Sequence, residues 1–225
     1  MLVKRKGLYN YLVDKGIPGL KEKTFLKSFK KGGLVYGPTQ HYTYIYEIIS
    51  GAVRLGSISS RDTEIVHEIV TPGEFFGNLR LLGDHAGLFG NLRGLHRPFS
   101  EFSKTLESSY MRCYEYDFFK HLMINDPNVA EWFYPKIVSR WCKTETLLIC
   151  IRSLEPRERI KHVHKLFDSK IRTADDREKR LNECISYKDL ADLTATTRQL
   201  VADTLKNAAE GKFCGAFMKE GIPSN

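Results

Sequence analysis

The stretch YTYIYEIISGAVRLGSISSRDTEIVHEIVTPGEF, residues 42 to 75, is rich in aromatic and β-branched residues and is broken at short intervals by turn residues. Such runs mark strands, and residues 34 to 70 are read as β-structure. Gly51 separates YTYIYEII from AVRLGSI, and Ser59-Ser60-Arg61-Asp62 separates that run from TEIVHEIV. Strands joined this closely pair antiparallel, because a parallel neighbour needs a crossover of about a dozen residues or more. Thr71-Pro72-Gly73 interrupts the pattern, and YMRCYEY at 110 to 116 resumes it, returning the chain to the sheet. A small β-roll or barrel is the expected product.

With 225 residues, 42% of them hydrophobic, the chain can bury a core of one large or two modest domains. The opening MLVKRKGLYNYL is basic without a continuous apolar stretch behind it, and no uncharged apolar run approaches the length of a membrane span. A soluble, cytoplasmic protein without a membrane partner is expected. Cys113, Cys142, Cys150, Cys184 and Cys214 are odd in number, far apart and free of any C-x-x-C pair. That spacing suggests no disulfide framework and no zinc or iron–sulfur site, and buried free thiols are expected. The net charge of +8 fits a nucleic-acid partner. From residue 154 onward, however, 14 Lys and Arg face 12 Asp and Glu, so most of the surplus lies earlier.

At Asp126-Pro127 the texture changes. Asp is a good N-cap and Pro suits the first helical turn, so a long helix is predicted to start here. Along it Ala130, Tyr134, Ile137, Trp141, Thr144, Leu148 and Ile151 recur at alternating steps of 4 and 3, the seam that packs one helix along another. The alternative is a helix packed on its own domain. Pro135 removes a hydrogen bond inside it, and a bend is expected there. Leu154-Glu155-Pro156 ends this helix, and Ile160, Val163, Leu166 and Phe167 form the apolar side of the next. A polar loop is predicted around 170 to 183. Ser186 then caps a short helix through Leu193, residues 194 to 196 make a tight turn, and Thr197 starts a second helix carrying Val201 and Leu205. This is the geometry of a helix-turn-helix.

In such a motif the start of the second helix faces base edges and phosphates. Arg198 can fork onto guanine, Gln199 can pair with adenine, and Thr197 can hold a phosphate. Lys206, and Tyr187 with Lys188 at the head of the first helix, are candidates for backbone contacts. A small helical bundle with merely solvated Arg and Gln is the competing reading. Ala195 occupies a turn position that favours Gly, and Asp203 brings a negative charge to the groove face, so modest affinity is expected.

The order of these parts resembles the CRP/FNR family of bacterial transcription regulators over essentially the whole chain. The carrying residues are IISGAVRL (48 to 55), TPGEFFGNLRLL (71 to 82), DPNVAEWFYPKIVSRWC (126 to 142) and YKDLADLTATTRQLVADTL (187 to 205). The resemblance implies an α+β protein: a double-stranded β-roll sensor at 1–125, a dimerisation helix at 126–153 and a winged helix-turn-helix at 154–225. It implies a homodimer reading a palindrome in double-stranded DNA, with RNA polymerase as a candidate partner. It places a ligand near Gly73, Glu74, Phe75, Gly77, Asn78 and Leu79, and the dimer interface along Tyr134, Ile137, Trp141, Thr144, Leu148 and Ile151.

Family members that bind cyclic nucleotides use Gly-Glu for the ribose and a later Arg-Ser for the phosphate. Gly73 and Glu74 match the first pair. Phe99, Ser100 and Glu101 stand where Arg, Ser and a small residue are expected, and a phosphodiester needs a cation or several N–H donors that Phe does not supply. Arg80, Arg93 and Arg97 are candidate substitutes, although Pro98 stiffens the approach. Cyclic-nucleotide reception through such a non-standard site is the alternative function. No cysteine precedes Cys113, which leaves the iron–sulfur branch unsupported, and no cofactor is expected.

The pentapeptide Phe-Gly-Asn-Leu-Arg occurs at 76 to 80 and again at 89 to 93. The first copy would form the short helix after Gly-Glu, with N–H groups facing the roll's contents. The second falls where a surface loop lengthens at little entropic cost, so loop expansion by duplication is expected. A cupin-like metalloenzyme would need clustered ligands on strands, whereas His41, His67, His85, His96 and His121 are scattered, and His162 and His164 face different sides of a helix. No nucleophile elbow, P-loop or dinucleotide fingerprint is present. A catalytic role is therefore not expected.

Overall fold

The structure, a computed structural model, describes residues 7–38, 43–59, 61–77, 79 and 101–209. The strands build two four-stranded sheets. One has the order β1 (Thr24–Phe29), β8 (Ser109–Glu115), β3 (Tyr44–Ser50), β6 (Phe75–Gly77). The other runs β2 (Leu34–Tyr36), β7 (Glu101–Thr105), β4 (Val53–Ile58), β5 (Glu64–Val70). Every pairing is antiparallel, with Ile45 opposite Tyr114 in one sheet and Val53 opposite Thr105 in the other. Between the sheets lie Phe29, Val35, Tyr36, Ile48, Val53, Leu55, Val70, Phe76 and Met111, with Tyr46 stacked on Phe76 at 5.0 Å between ring centres. The roll expected from the runs at 34 to 70 and 110 to 116 is present, with β1, β6 and β7 added to it, and side chains fill its described interior.

Three further elements surround it that the hydrophobic pattern did not disclose. Helices α1 (Leu8–Asp14) and α2 (Leu20–Lys23) precede β1, and α3 (Tyr116–Asn125) follows β8 directly. They enclose a second core of Leu8, Leu12, Phe75, Tyr114, Phe119, Leu122, Val129, Trp132 and Phe133. From it springs α4 (Pro127–Ser153), a helix of 27 residues that continues through Pro135. Asp126 caps it as expected: Oδ1 accepts from the Asn128 amide at 3.1 Å. The same carboxylate accepts from the Tyr11 hydroxyl at 3.0 Å and the Lys15 ammonium at 2.8 Å, which ties the N-terminal helix to the start of α4. Burial works to raise the Asp126 carboxyl, but Lys15, Tyr11 and the Asn128 amide overcome it and hold it below the ordinary aspartate value.

After α4 come α5 (Pro156–Leu166), a hairpin of β9 (Lys170–Arg172) and β10 (Glu178–Arg180), and α6 (Leu181–Cys184). The last two described helices are α7 (Tyr187–Leu193) and α8 (Arg198–Ala209). Two expectations are corrected here. The polar segment at 170 to 183 is a hairpin and a helical turn, held by Ile171 and Leu181, which are buried among the helices. Leu166 is exposed, because α5 turns Ile160, Val163 and Phe167 inward instead.

These helices do not form a separate core. Ile160, Val163, Ile171, Leu181, Leu190, Leu193 and Val201 belong to one buried cluster with Ala52, Val66, Ile69, Phe102 and Leu106 of the roll. Polar contacts reinforce the joint: the Gly51 amide donates to the Arg172 carbonyl at 2.7 Å and the Ala174 amide to the Ser108 carbonyl at 2.8 Å. Buried Glu107 receives Lys31 at 2.6 Å and Lys179 at 2.9 Å. Burial pushes its carboxyl upward, yet Lys179 and Lys31 bring it below the usual glutamate value.

Cys113 and Cys150 are buried as expected, with burial pushing the Cys113 thiol up to about 12, but Cys142 is exposed on α4 and Cys184 is half-buried. No described helix is long and apolar enough to cross a membrane, and no three His, Cys, Asp or Glu among the described residues cluster to hold a metal ion. Asn78, Arg80, Arg93, Arg97, Phe99, Ser100, Cys214, the second pentapeptide and the wing expected beyond α8 lie outside the described residues.

The Asp126 tie yields a pH signature. Asp126→Ala is expected to reduce stability by about 1–3 kcal/mol in urea melts. A depressed folded-state pKa gives stabilisation that is present above the ordinary value of 3.8 and fades as pH falls through the folded value, so the advantage of wild type over Asp126→Asn should close in acid. An advantage independent of pH contradicts this.

Candidate functional site

Residues 71 to 77 leave β5 through a tight turn. Gly73 has φ 83 with open space where a side chain would begin, a conformation that costs glycine nothing. Its amide donates to the Ile48 carbonyl at 2.8 Å, and the Ile48 amide donates to the Glu74 carbonyl at 3.1 Å, so the turn is stitched to β3. Glu74 does not extend into the roll. One oxygen accepts from the Thr71 amide at 2.7 Å and the Thr71 hydroxyl at 2.8 Å, and the other accepts from Lys143 of α4 at 2.6 Å. Phe75 turns into the second core, edge-on to Trp132 and Phe133, while Phe76 points into the roll. Gly77, at φ 116, lies so close to β3 that a β-carbon would meet the Tyr44 carbonyl at 2.8 Å. Leu79 packs half-buried against the N-terminal cluster.

Lys143 is one of three cations that the sequence reading overlooked. Lys136, Arg140 and Lys143 follow one another on α4 at helical spacing. Lys136 donates to the Gly73 carbonyl at 2.5 Å, Arg140 to Glu68 at 2.5 Å and Lys143 to Glu74. The signal available was a basic row at steps of 4 and 3 facing two glutamates that flank a turn. Between these groups is a cavity of about 310 Å³ lined by Glu68, Gly73, Phe133, Lys136, Ile137 and Arg140, among others. Lys136 also lies over the Trp132 ring at 4.7 Å. Burial lowers its ammonium below the ordinary lysine value, against the upward pull of Glu47 and Glu74. Burial likewise raises the Glu47 carboxyl, partly opposed by the Tyr114 hydroxyl at 2.8 Å, Arg112 and Lys136.

The seam residues of α4 lie mostly on its outer side. Tyr134 is 69% exposed and Trp141 67%, Leu148 and Ile137 are also open, and exposed Thr144 donates back to the Arg140 carbonyl. Ala130 and Ile151 are half-buried. Val138 and Ile149 widen the apolar strip. Packing within the described chain therefore does not account for these side chains.

In the C-terminal unit Ser186 caps α7, its hydroxyl accepting from the Asp189 amide at 3.1 Å. The connecting turn holds Ala195 at φ 49, the positive value foreseen from its position. Thr194 donates to the Leu190 carbonyl at 2.6 Å, and the Thr197 hydroxyl accepts from the Leu200 amide at 3.2 Å, capping α8. Val201 is fully buried against α7, while Thr197, Arg198, Gln199, Asp203 and Lys206 are exposed or partly so. Gln199 donates to Asp203 at 2.9 Å, a bond it must give up to pair with a base. Tyr187 is exposed at the head of α7. Lys188 is turned toward the roll, donating to the Glu64 carbonyl at 2.6 Å and to Asp192 at 2.9 Å.

This arrangement of a two-sheet antiparallel roll, a long helix and a helix-turn-helix is shared with solved structures described as CRP/FNR-type transcription regulators. Residues 26–90 match the cyclic nucleotide-binding domain family. The fold is shared with a cyclic nucleotide-binding domain containing protein from Listeria monocytogenes, 16% identical, covering 91% of this chain and 90% of that one at a TM-score of 0.62. It is also shared with the c-di-GMP responsive global regulator CLP from Xanthomonas campestris, 16% identical, covering 90% and 95% at 0.63. A CRP-family transcriptional regulator from Thermus thermophilus is 18% identical, covering 85% and 88% at 0.61. No curated protein matches the chain in sequence. The last two of these solved neighbours are described as regulators.

A raised carboxyl favours the folded state below the ordinary value of 4.5, and that advantage is lost as pH rises through the folded value. Glu47→Gln, which keeps an acceptor for Tyr114, should therefore melt higher than wild type at neutral pH, with the gain disappearing in acid. A variant that is less stable than wild type at pH 7 contradicts the assignment.

Proposed function

We propose that the chain is a dimeric, sequence-specific DNA-binding transcription regulator of the cytoplasm. The observation that carries this reading is the outward-facing row Thr197, Arg198 and Gln199 at the start of a capped helix that packs on α7 as the second member of a helix-turn-helix. In that geometry the N-terminal residues of the second helix enter the major groove, Arg198 reading guanine and Gln199 adenine, with Lys206 and Tyr187 suited to the backbone. The open strip from Tyr134 to Leu148 supports pairing of two copies along α4, which would present two reading helices to a palindrome. RNA polymerase is a candidate partner of the assembled complex. An effector acts only through unequal affinity for two arrangements of the dimer.

The second reading, a cyclic-nucleotide receptor with a non-standard phosphate site, draws support from the match over residues 26–90 and from Lys136 and Arg140 beside the cavity. Against it, both Glu74 oxygens are occupied, and the described interior of the roll is filled by Tyr36, Tyr46 and Phe76. Phe99 in place of the expected Arg also favours the first reading.

Selection of duplexes from a random pool by the full chain should return a two-fold symmetric site, and Arg198→Ala should weaken binding to it by about 1–3 kcal/mol for each half-site while relaxing preference at one base position in each half. Failure to enrich any duplex overturns the reading, and tight saturable uptake of cyclic AMP would favour the second.

A further inference from the structure

Among the described residues strand β5 is the edge of its sheet, and an edge presents unpaired N–H and C=O groups that proteins cover or blunt. Here α7 covers it with side chains. Glu64 and Val66, two apart and so on the same side of the strand, turn a carbonyl and an amide outward. Lys188 donates to that carbonyl at 2.6 Å, and the Val66 amide donates to Asp192 at 3.0 Å. Lys188 and Asp192 also bond each other at 2.9 Å, closing the set. One strand over, Arg54 of β4 donates to Asp189 at 2.5 Å and lies 3.6 Å from Glu64, which Lys104 of β7 also engages. Asp189 is 1% exposed and accepts as well from the Ser186 hydroxyl at 2.7 Å. Beneath these contacts Leu190 and Leu193 share the buried cluster with Val66 and Ile69.

We propose that this joint is a fixed strut: Arg54, Asp189 and Asp192 are positioning residues that set the orientation of α8 from strands β4 and β5, and Lys188 belongs to the joint rather than to a DNA phosphate. The part concerning DNA rests on the regulator reading above. Segments joined only by a linker swing freely, but a large apolar contact removes that freedom. Here a charged clasp lies over a shared core, so a change in the roll reaches the reading helix through β4 and β5 as well as through the connection after α4. A lysine held by a carbonyl and a carboxylate adds no phosphate contact unless it leaves both.

The test uses the full chain. Without DNA, Arg54→Met and Asp192→Ala should each keep native circular dichroism while the Val66 amide exchanges about tenfold faster or more; unchanged protection at Val66 in both overturns the strut. This arm needs no DNA binding, so it decides the joint even if selection yields no duplex. On a selected duplex, Arg54→Met should weaken affinity about tenfold and Arg54→Lys should restore it, whereas full affinity in Arg54→Met overturns the positioning role. Lys188→Gln should leave the slope of log affinity against log salt unchanged; a slope shallower by about 1.8, or about 0.9 for each copy in the dimer, would make Lys188 a phosphate contact and overturn its assignment.

Discussion

Val66 and Ile69 of the roll lie in the same buried cluster as Leu190, Leu193 and Val201 of the helix-turn-helix, and on that shared contact the arrangement of the whole molecule depends. One face of the second sheet closes the roll with Val53, Leu55 and Val70, and the other supports the C-terminal helices. Burying a large apolar side chain is worth roughly 1.5–3 kcal/mol, so parting the two units would expose several such groups at once. That expense, more than any single ion pair, keeps α8 in register with the roll.

Charged groups then define how the units meet. Glu107 between Lys31 and Lys179 fixes the β9–β10 hairpin to the turn after β7, and the Arg54–Asp189 pair fixes α7 to β4. Lys136, Arg140 and Lys143 likewise hold α4 to β5 and the turn at Gly73. Buried partners of this kind are costly when left alone, because an unpaired charge stays desolvated. They favour one docking geometry over its neighbours. The turn at Gly73 is thereby connected on one side to β3 and on the other to the long helix, so displacement of the turn acts on both.

Local chemistry made much of this legible. Asp126-Pro127 and Ser186 announce helix starts because capping is decided by residues within a turn, and Ala195 betrays its positive φ because of where it falls between two short helices. Strands β2 to β5 and β8 showed through their aromatic and β-branched runs, whereas β1 and β7 did not, and β6 holds Phe76 and Gly77 where the start of a short helix is expected from the sequence. What stayed hidden depends on distant partners. The hairpin at 170 to 180 is built mostly from charged residues around one buried apolar side chain, Ile171, which gives no period to detect. Helix α3 merges with the strand before it because Tyr116 and Phe118 extend an aromatic run. Glu74 looked like a ligand group because its partner Lys143 is 69 residues away, and Lys188 looked available for DNA because Glu64 is 124 residues away. Charge type is written in the sequence, whereas the partner that consumes the charge is supplied by the fold.

If roll and helix-turn-helix share one core, they must open together. Hydrogen exchange across a urea series, followed by peptide mass spectrometry on the full chain, reads β5 and α7 side by side. The shared core predicts one common midpoint for loss of protection in both. Release of α7 and α8 at lower urea, with β5 still protected, would mean that two independent units merely touch.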